Sequence, residues 1–201
     1  MNELVNIEVV RDEALRKLGR NIVHFSKIEA ILKRLLSVSQ LKGTEKTISD
    51  HSLENKTKPQ KPTLGKLVEK FHKNILVDAS KSEPIPDFSR AEISISFKVI
   101  YNNPDFLKVQ KSKLNSIVAE RNKLIHQDLG FVDISSVEDC HNLISLLDEQ
   151  NFRLLTQLEE LRLIMESLIN TMKASEYFLK SPDFLQMLQL LQSDASPVTL
   201  P

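Results

Sequence analysis

A long pattern of apolar residues at positions 136–173 limits the possible folds of this chain more than any other sequence feature. Spacings of four and three alternate along it, which predicts a long helix that packs against other helices. Asn151 is the one polar member, and such a residue fixes the register of a bundle or marks contact with a second protomer. We favour a position inside the chain's own bundle. The members are Cys140, Ile144, Leu147, Asn151, Leu154, Leu158, Leu161, Met165, Leu168 and Met172.

A second long helix is predicted over residues 8–38. Its apolar stripe contains one carboxylate, Glu29, among Leu15, Leu18, Ile22, Phe25, Leu32 and Leu36. A carboxylate on an apolar stripe is costly unless it has a partner. Glu29 is therefore expected to pair with Arg121 and support a functional site, or else to meet a buried lysine, water or solvent.

The segments between these two helices are shorter and more polar. Residues 39–62 have the composition of a mobile loop, after which Thr63 is a suitable N-cap for a helix from Leu64 to about Val77. Residues 78–103 are irregular, but apolar and polar residues alternate over 92–100. This alternation predicts a strand that pairs with residues 75–77 in a small hairpin.

A further helix is predicted from Pro104 to about His126, with Gly130 just beyond its end. Ser135 or Ser136 can cap the closing helix. Residues 1–175 then form one helical domain, and residues 176–201 form a short C-terminal helix, starting near Ser175, and a disordered tail. The predicted fold class is all-α, an up-and-down helical bundle with long first and closing helices and a small β insertion near 75–100.

Composition excludes several other classes. Four glycines and eleven aromatic residues among 201 argue against a β-sandwich or barrel, and a single cysteine excludes a disulfide framework. No apolar run is long enough for a membrane span and no signal-peptide core is present, so we expect a cytoplasmic protein without a membrane partner. The chain is neutral overall, yet residues 133–201 contain eleven acidic and four basic residues. The preceding 132 residues carry the opposite charge, either as ordinary solvated surface or as a surface for a polyanion.

Most catalytic and nucleotide-binding motifs are missing from the sequence. There is no glycine-rich phosphate loop, and the five histidines include no pair spaced for a metal ion, so neither a cofactor nor a metal is expected. One cluster remains, in the sequence Arg121-Asn122-Lys123-Leu124-Ile125-His126. Arg121 occupies a position of the apolar seam, while Asn122 and His126 share a helix face that Asn115 and Ala119 continue. Arg121 and His126 project about 140° apart on an α-helix.

This cluster has a structural explanation as well as a functional one. A histidine in the last turn stabilises the helix dipole, and an arginine on a seam can form an ion pair with a residue such as Glu29. Both roles would occur without any catalysis.

The hexapeptide resembles the signature of the HEPN superfamily, in which an arginine and a polar residue precede a histidine at the end of a bundle helix. The resemblance extends over roughly residues 10–175, although the segments 39–62 and 78–103 depart from the minimal bundle. It implies a metal-independent endoribonuclease of the toxin–antitoxin or antiphage defence type. It also implies a homodimer, an RNA substrate and a cognate antitoxin protein.

The resemblance assigns the catalytic roles to Arg121, Asn122 and His126. His126 would move protons, since histidine is the side chain that titrates near pH 6.5, and Arg121 would neutralise the charged phosphorane. Asn122 would orient His126 or contact phosphate. Four lysines on or beside the same helix are expected to guide the RNA backbone, or to be ordinary surface lysines: Lys108, Lys111, Lys113 and Lys123.

Two other function classes stay open. The first is a non-catalytic HEPN-like module that binds nucleotide, RNA or a protein. The second is a structural adaptor that uses the closing helix as its binding surface.

Overall fold

Long helices dominate the part of the chain that the computed structural model describes, which is residues 6–43, 62–78, 93–184 and 186. The expected all-α bundle with a small β insertion is confirmed. In chain order the elements are α1 (Ile7–Val38), β1 (Gln40–Gly43), α2 (Leu64–Asn74), β2 (Leu76–Asp78), β3 (Ile93–Ser96), β4 (Val99–Tyr101), α3 (Pro104–Lys123), a π-helical turn (Leu124–Asp128), α4 (Leu129–Phe131) and α5 (Val137–Leu179). No helix in these ranges is both long and apolar enough to cross a bilayer.

Helices α1 and α5 pack side by side and run in the same direction. Lys17 and Arg20 of α1 both contact Asp148 of α5, and Asn21 contacts Gln150. These pairs are separated by 128 to 131 positions. Further along, His24 interacts with Asn151, and Lys27 and Ile31 line a groove with Leu155 and Leu158, so residue numbers rise together along the two helices. This constant offset defines a parallel pair.

A buried polar contact holds this pair in register. The side chain of Asn21 is fully buried, and its Nδ2 donates to the carbonyl oxygen of Leu147 at 2.8 Å and to Oε1 of Gln150 at 3.0 Å. Because a buried amide is costly without partners, a shift of either helix would lose both hydrogen bonds.

The stripe predicted for α1 is only partly the buried one. Phe25 and Leu32 are buried as predicted, but Leu15 and Ile22 are 44% and 40% exposed. At four of the predicted positions the preceding residue is buried instead: Ala14, Asn21, Ile28 and Leu35. The sequence suggested a partly wrong stripe because the polar Asn21 occupies the true one, and its hydrogen-bond partners lie on another helix.

The buried face of α5 is broader than a single seam. Most of the predicted members are buried, and they are joined by Leu143, Gln150, Gln157 and Ile164. This width follows from the packing of α5 against both α1 and α3. Asn151 is half-buried beside His24 of α1, so the prediction of a position inside the bundle is confirmed.

Helix α3 runs antiparallel to α5 and to α2. Glu120 and Lys113 of α3 form ion pairs with Arg153 and Glu160 of α5, so the residue numbers rise in opposite directions. At the start of α2, a Cβ atom added to Gly65 would lie 3.7 Å from Val118 of α3. Near the end of α2, the charge of Lys111 of α3 lowers the pKa of His72. Helix α2 begins at the predicted cap, Thr63, but it ends at Asn74.

The β insertion differs from the predicted hairpin. Strand β3 pairs antiparallel with β1, in the segment predicted to be a loop, and β4 pairs parallel with β2. The chain passes from the β1 side to the β2 side just after Phe97. The amide of Phe97 donates to the carbonyl oxygen of Ser39 at 2.8 Å, and the amide of Val99 donates to the carbonyl oxygen of Ile75 at 2.8 Å. The predicted pairing with residues 75–77 is confirmed for β4 alone, but the prediction of one strand over 92–100 in a hairpin is wrong, because the segment forms two strands and β4 is parallel to β2.

Two helix ends also differ from the predictions. Ser136 caps α5 as expected, but α5 continues past Ser175 to Leu179, so no new helix begins at 175. Gly130 lies inside α4 rather than beyond a helix end. The remaining loop and tail predictions concern residues 44–61, 79–92 and 187–201, which lie outside the described residues.

We expect Asn21→Ala to lower the free energy of unfolding by about 2 kcal/mol, because it removes two buried hydrogen bonds and leaves Oε1 of the buried Gln150 without the donor that Asn21 supplies. Urea denaturation followed by circular dichroism measures this change. The matched control is Asn142→Ala, an exposed asparagine on α5, which should change stability by less than about 0.5 kcal/mol. Equal effects of the two substitutions would contradict the role given to Asn21.

The stability of the bundle should fall as the pH falls from 6.5 to 4, partly because of His72. Burial, and secondarily the charge of Lys111, lowers the pKa of His72 from 6.5 to about 4. In this pH window His72 binds a proton in the unfolded chain but stays neutral in the folded protein, so acid favours unfolding. His72→Leu removes this proton uptake and should reduce the pH dependence of the urea midpoint, whereas the neighbouring Lys73→Leu should not. An unchanged pH dependence in His72→Leu would refute this explanation.

Candidate functional site at the end of helix α3

The helix that carries the Arg121–His126 cluster starts with a strong cap. Asn103 accepts hydrogen bonds from the amides of Asp105 and Phe106 at 3.0 and 3.3 Å, and Pro104 occupies the first turn. The ring of Phe106 stacks on Tyr101 with a centroid distance of 4.6 Å. The start of α3 is thereby attached to strand β4.

The other end of α3 is held by an ion pair with α5. Nε and Nη2 of Arg153 donate to the two carboxylate oxygens of Glu120 at 2.8 and 3.2 Å. A bidentate pair of this kind fixes orientation as well as distance. Because Glu120 precedes Arg121 directly, the pair sets the rotation of the turn that carries the cluster.

The cluster spans a change of helix type that the sequence did not predict. The α-helical hydrogen bonds end at Lys123, and residues Leu124–Asp128 form a π-helical turn in which the amide of Leu129 donates to the carbonyl oxygen of Leu124. A π-helical turn contains more residues than an α-helical turn, so each residue is rotated by a smaller angle about the helix axis. His126 is thereby rotated toward the face of Arg121, compared with the predicted angle of about 140°.

Arg121 lies on the apolar seam, as predicted, but its predicted partner is wrong. It is half-buried between the core residues Ile117 and Leu124, and its Nη1 lies 3.4 Å from Oδ1 of Asn122. Glu29 is instead bound to Lys33, one turn along α1, at 2.6 Å. Among the described residues no carboxylate forms an ion pair with Arg121. As far as these residues extend, the guanidinium group can bind another anion.

Asn122 and His126 are both exposed to solvent. Asn122 contacts Arg121, so these two predicted site residues are brought together directly. Within the described ranges the imidazole of His126 has no hydrogen-bond partner. Beside it, Lys123 lies 3.6 Å from Asp128, a contact that the π-helical turn makes possible.

The four lysines predicted to bind RNA do not share one surface. Lys108 and Lys111 line a shallow groove of about 540 Å³ on α3, which we call the α3 groove, together with Ser112, Asn115, Ser116 and Ala119. Lys108 also contacts Asp105 at 3.1 Å. Lys113 points to α5, where it binds Glu160 at 2.7 Å. The two serines of the groove were missed, although their spacing of four continues the exposed face of α3.

The geometry of the described residues was compared with metal sites, and the chain with known proteins, and neither comparison gave a match. In the described ranges no three His, Cys, Asp or Glu side chains are placed to hold a metal ion. The chain matches no protein-family model, no curated protein and no solved structure.

We expect Arg121→Leu to leave the free energy of unfolding unchanged or to raise it by about 1 kcal/mol. The substitution replaces a half-buried cation, which has no carboxylate partner among the described residues, by an apolar side chain on an apolar seam. The matched control is Arg153→Leu, which breaks a bidentate ion pair and should lower stability by up to about 1 kcal/mol. Urea denaturation compares the two variants. A larger loss for Arg121→Leu than for Arg153→Leu would assign Arg121 a structural role.

Proposed function

We propose that this chain is a metal-independent endoribonuclease of the HEPN type. The observation that supports this proposal most directly is the state of Arg121, a half-buried cation on an apolar seam without a carboxylate partner among the described residues. Exposed His126 follows on a π-helical turn that rotates it toward the same face. Turns of this type occur frequently at functional sites.

The proposed reaction needs only an acid, a base and a cation. One imidazole accepts the proton of a ribose 2′-hydroxyl, whose oxygen forms a bond with the adjacent phosphorus atom. The bond between phosphorus and the 5′-oxygen then breaks, and that oxygen takes up a proton. The products are a 2′,3′-cyclic phosphate and a 5′-hydroxyl. His126 transfers the protons, and the planar fork of Arg121 binds the charged phosphorane oxygens.

Asn122 supports this chemistry through its contact with Arg121. With Oδ1 turned to the guanidinium group, its amide nitrogen remains for a phosphate oxygen. A single histidine cannot be acid and base at once, so we infer that a second copy of the chain supplies the other imidazole across a shared cleft. The homodimer of the HEPN resemblance is part of this proposal.

The α3 groove provides a path for the RNA backbone toward His126. Lys108 and Lys111 contribute charge, and Asn115 and the serines contribute uncharged donors. Lys123 lies beside the cluster and can release Asp128 for a phosphate, since exposed ion pairs are weak. Lys113 is the least suited of the four lysines because it is engaged with Glu160.

The biological setting of the proposal depends on the sequence resemblance alone. It consists of a role as a toxin or antiphage defence effector in the cytoplasm and control by a cognate antitoxin protein. The second candidate function is a module that binds RNA or nucleotide without cleaving it. The α3 groove favours this alternative, since its donors suit an anion whether or not His126 acts on it.

Purified wild-type protein should cleave total RNA in the presence of EDTA and leave 2′,3′-cyclic phosphate ends. Removal of a general acid or base costs about 10²- to 10⁴-fold in rate, and we expect losses of this size for His126→Ala and Arg121→Ala. The cyclic ends are identified because they resist alkaline phosphatase but are removed by wild-type polynucleotide kinase and not by its phosphatase-deficient variant. His141→Ala, an exposed histidine on α5, and Arg16→Ala, an exposed arginine on α1, serve as controls that should retain most of the activity.

Cleavage that persists in both His126→Ala and Arg121→Ala would refute the proposed site. Binding of RNA without cleavage by the wild-type protein would select the non-catalytic module instead. That binding should weaken steeply with salt if the groove lysines contact phosphates.

A further inference from the structure

Helices α1 and α5 form a groove on the side of the bundle that faces away from α2 and α3. It has a volume of about 390 Å³ and is lined by Lys27, Ala30, Ile31, Leu155, Leu158, Glu159 and Arg162. We call this surface, together with Val23, Arg34, Phe152 and Glu166, the α1–α5 face. None of the functions proposed for α3 uses it.

The α1–α5 face exposes apolar side chains in a helix-packing pattern. Val23 is 50% exposed, and Phe152 and Leu155 are 73% and 48% exposed. On α1 the outward positions 23, 27, 30 and 34 have spacings of four, three and four. On α5 the positions 152, 155, 159, 162 and 166 continue the same alternation. Such stripes are typical of helices that pack against a further pair of helices.

The two helices of this face carry opposite charge. On α1, Lys27 and Arg34 are exposed and form no ion pair with any described residue. On α5, Glu159 and Glu166 share a single cation, Arg162, at 2.8 and 2.6 Å. Within the described part of the chain, the α1 wall of the groove therefore has positive charge without an ion-pair partner, and the α5 wall has an excess of negative charge.

The spacing of these charges matches between the two helices. Lys27 and Arg34 are seven positions apart, and so are Glu159 and Glu166. With the offset of 128 to 131 positions between α1 and α5, each cation lies within about one turn, or 5.4 Å, of the level of a glutamate. Long side chains can cover that distance.

We propose that the α1–α5 face pairs with the same face of a second copy of this chain. A two-fold axis parallel to the helices places α1 of one copy over α5 of the other at the same level, because the two helices are parallel. Lys27 and Arg34 then lie opposite the glutamates on the partner's α5. Val23 lies opposite the exposed apolar residues at the N-terminal end of the same stripe. A two-fold axis perpendicular to the helices would instead place cation on cation.

This pairing is independent of the site on α3. The face lies on the opposite side of α5 from the Glu120–Arg153 ion pair, so both Arg121–His126 clusters stay on the outside of the assembly. Assembly through the α1–α5 face and cleavage at His126 can therefore succeed or fail separately.

Charge reversal tests the pairing. Lys27→Glu with Arg34→Glu makes both walls acidic, and Glu159→Lys with Glu166→Lys makes both walls basic. Each double variant should have half the mass of the wild-type assembly in sedimentation equilibrium. An equimolar mixture of the two should regain the full mass, since each wall again meets its opposite. Lys66→Glu with Lys70→Glu on α2 is the control with the same charge change, and it should keep the wild-type mass.

The outcomes against the proposal are equally definite. A wild-type protein that is monomeric over the whole concentration series refutes it. So does retention of full mass in both reversed variants, or failure of the mixture to regain mass. Circular dichroism and urea midpoints establish that each variant is folded, so that a loss of mass reports on the interface.

Discussion

The hydrogen bonds of Asn21 determine the relation between the two longest helices. They join α1 to the carbonyl oxygen of Leu147 and to Gln150 in a fully buried position, where water cannot replace them. Apolar contacts alone tolerate sliding of one helix along another, because hydrophobic burial has no direction. A buried amide that needs specific partners does not. The parallel register of α1 and α5, and with it the facing charges of the α1–α5 face, depends on this residue together with Lys17 and Arg20, which bind Asp148.

The position of the candidate site depends on α5 in a different way. Helix α3 carries two polar residues on its buried side, Gln110 and Arg121, and neither amide atom of Gln110 has a hydrogen-bond partner within the described part of the chain. The apolar seam of α3 is thus less complete than that of α1. Ion pairs compensate, since Lys113 and Glu120, which lie about two turns apart, attach α3 to α5. The helix is oriented by charges at its edge, which leaves its seam free to carry a cation.

Much of the fold was predictable, because the signals were local or strongly periodic. The caps Thr63 and Ser136 and the long helices depend on residues that are near one another in sequence, and the extended segments of the β insertion show local alternation. The presence of Arg121 on a seam was predictable for the same reason. The ion pair of Glu29 with Lys33, four residues along α1, was also within reach of the sequence, but the absence of a contact with Arg121 was not, because the rotation of α1 decides which distant side chains Glu29 can reach. The pairing of the strands around Phe97 was equally hidden, since alternation is the same for every partner.

The sequence by itself determined that this chain is a helical bundle and that an arginine, an asparagine and a histidine lie near the end of one helix. Local periodicity and capping chemistry are sufficient for that. Only the tertiary structure decided which stripe of α1 is buried, that α1 and α5 are parallel, and that a π-helical turn rotates His126 toward Arg121. Each of these depends on contacts between residues far apart in sequence or on a backbone bond that no residue type specifies. The physical reason is that buried polar groups select their partners in three dimensions, after local structure has formed.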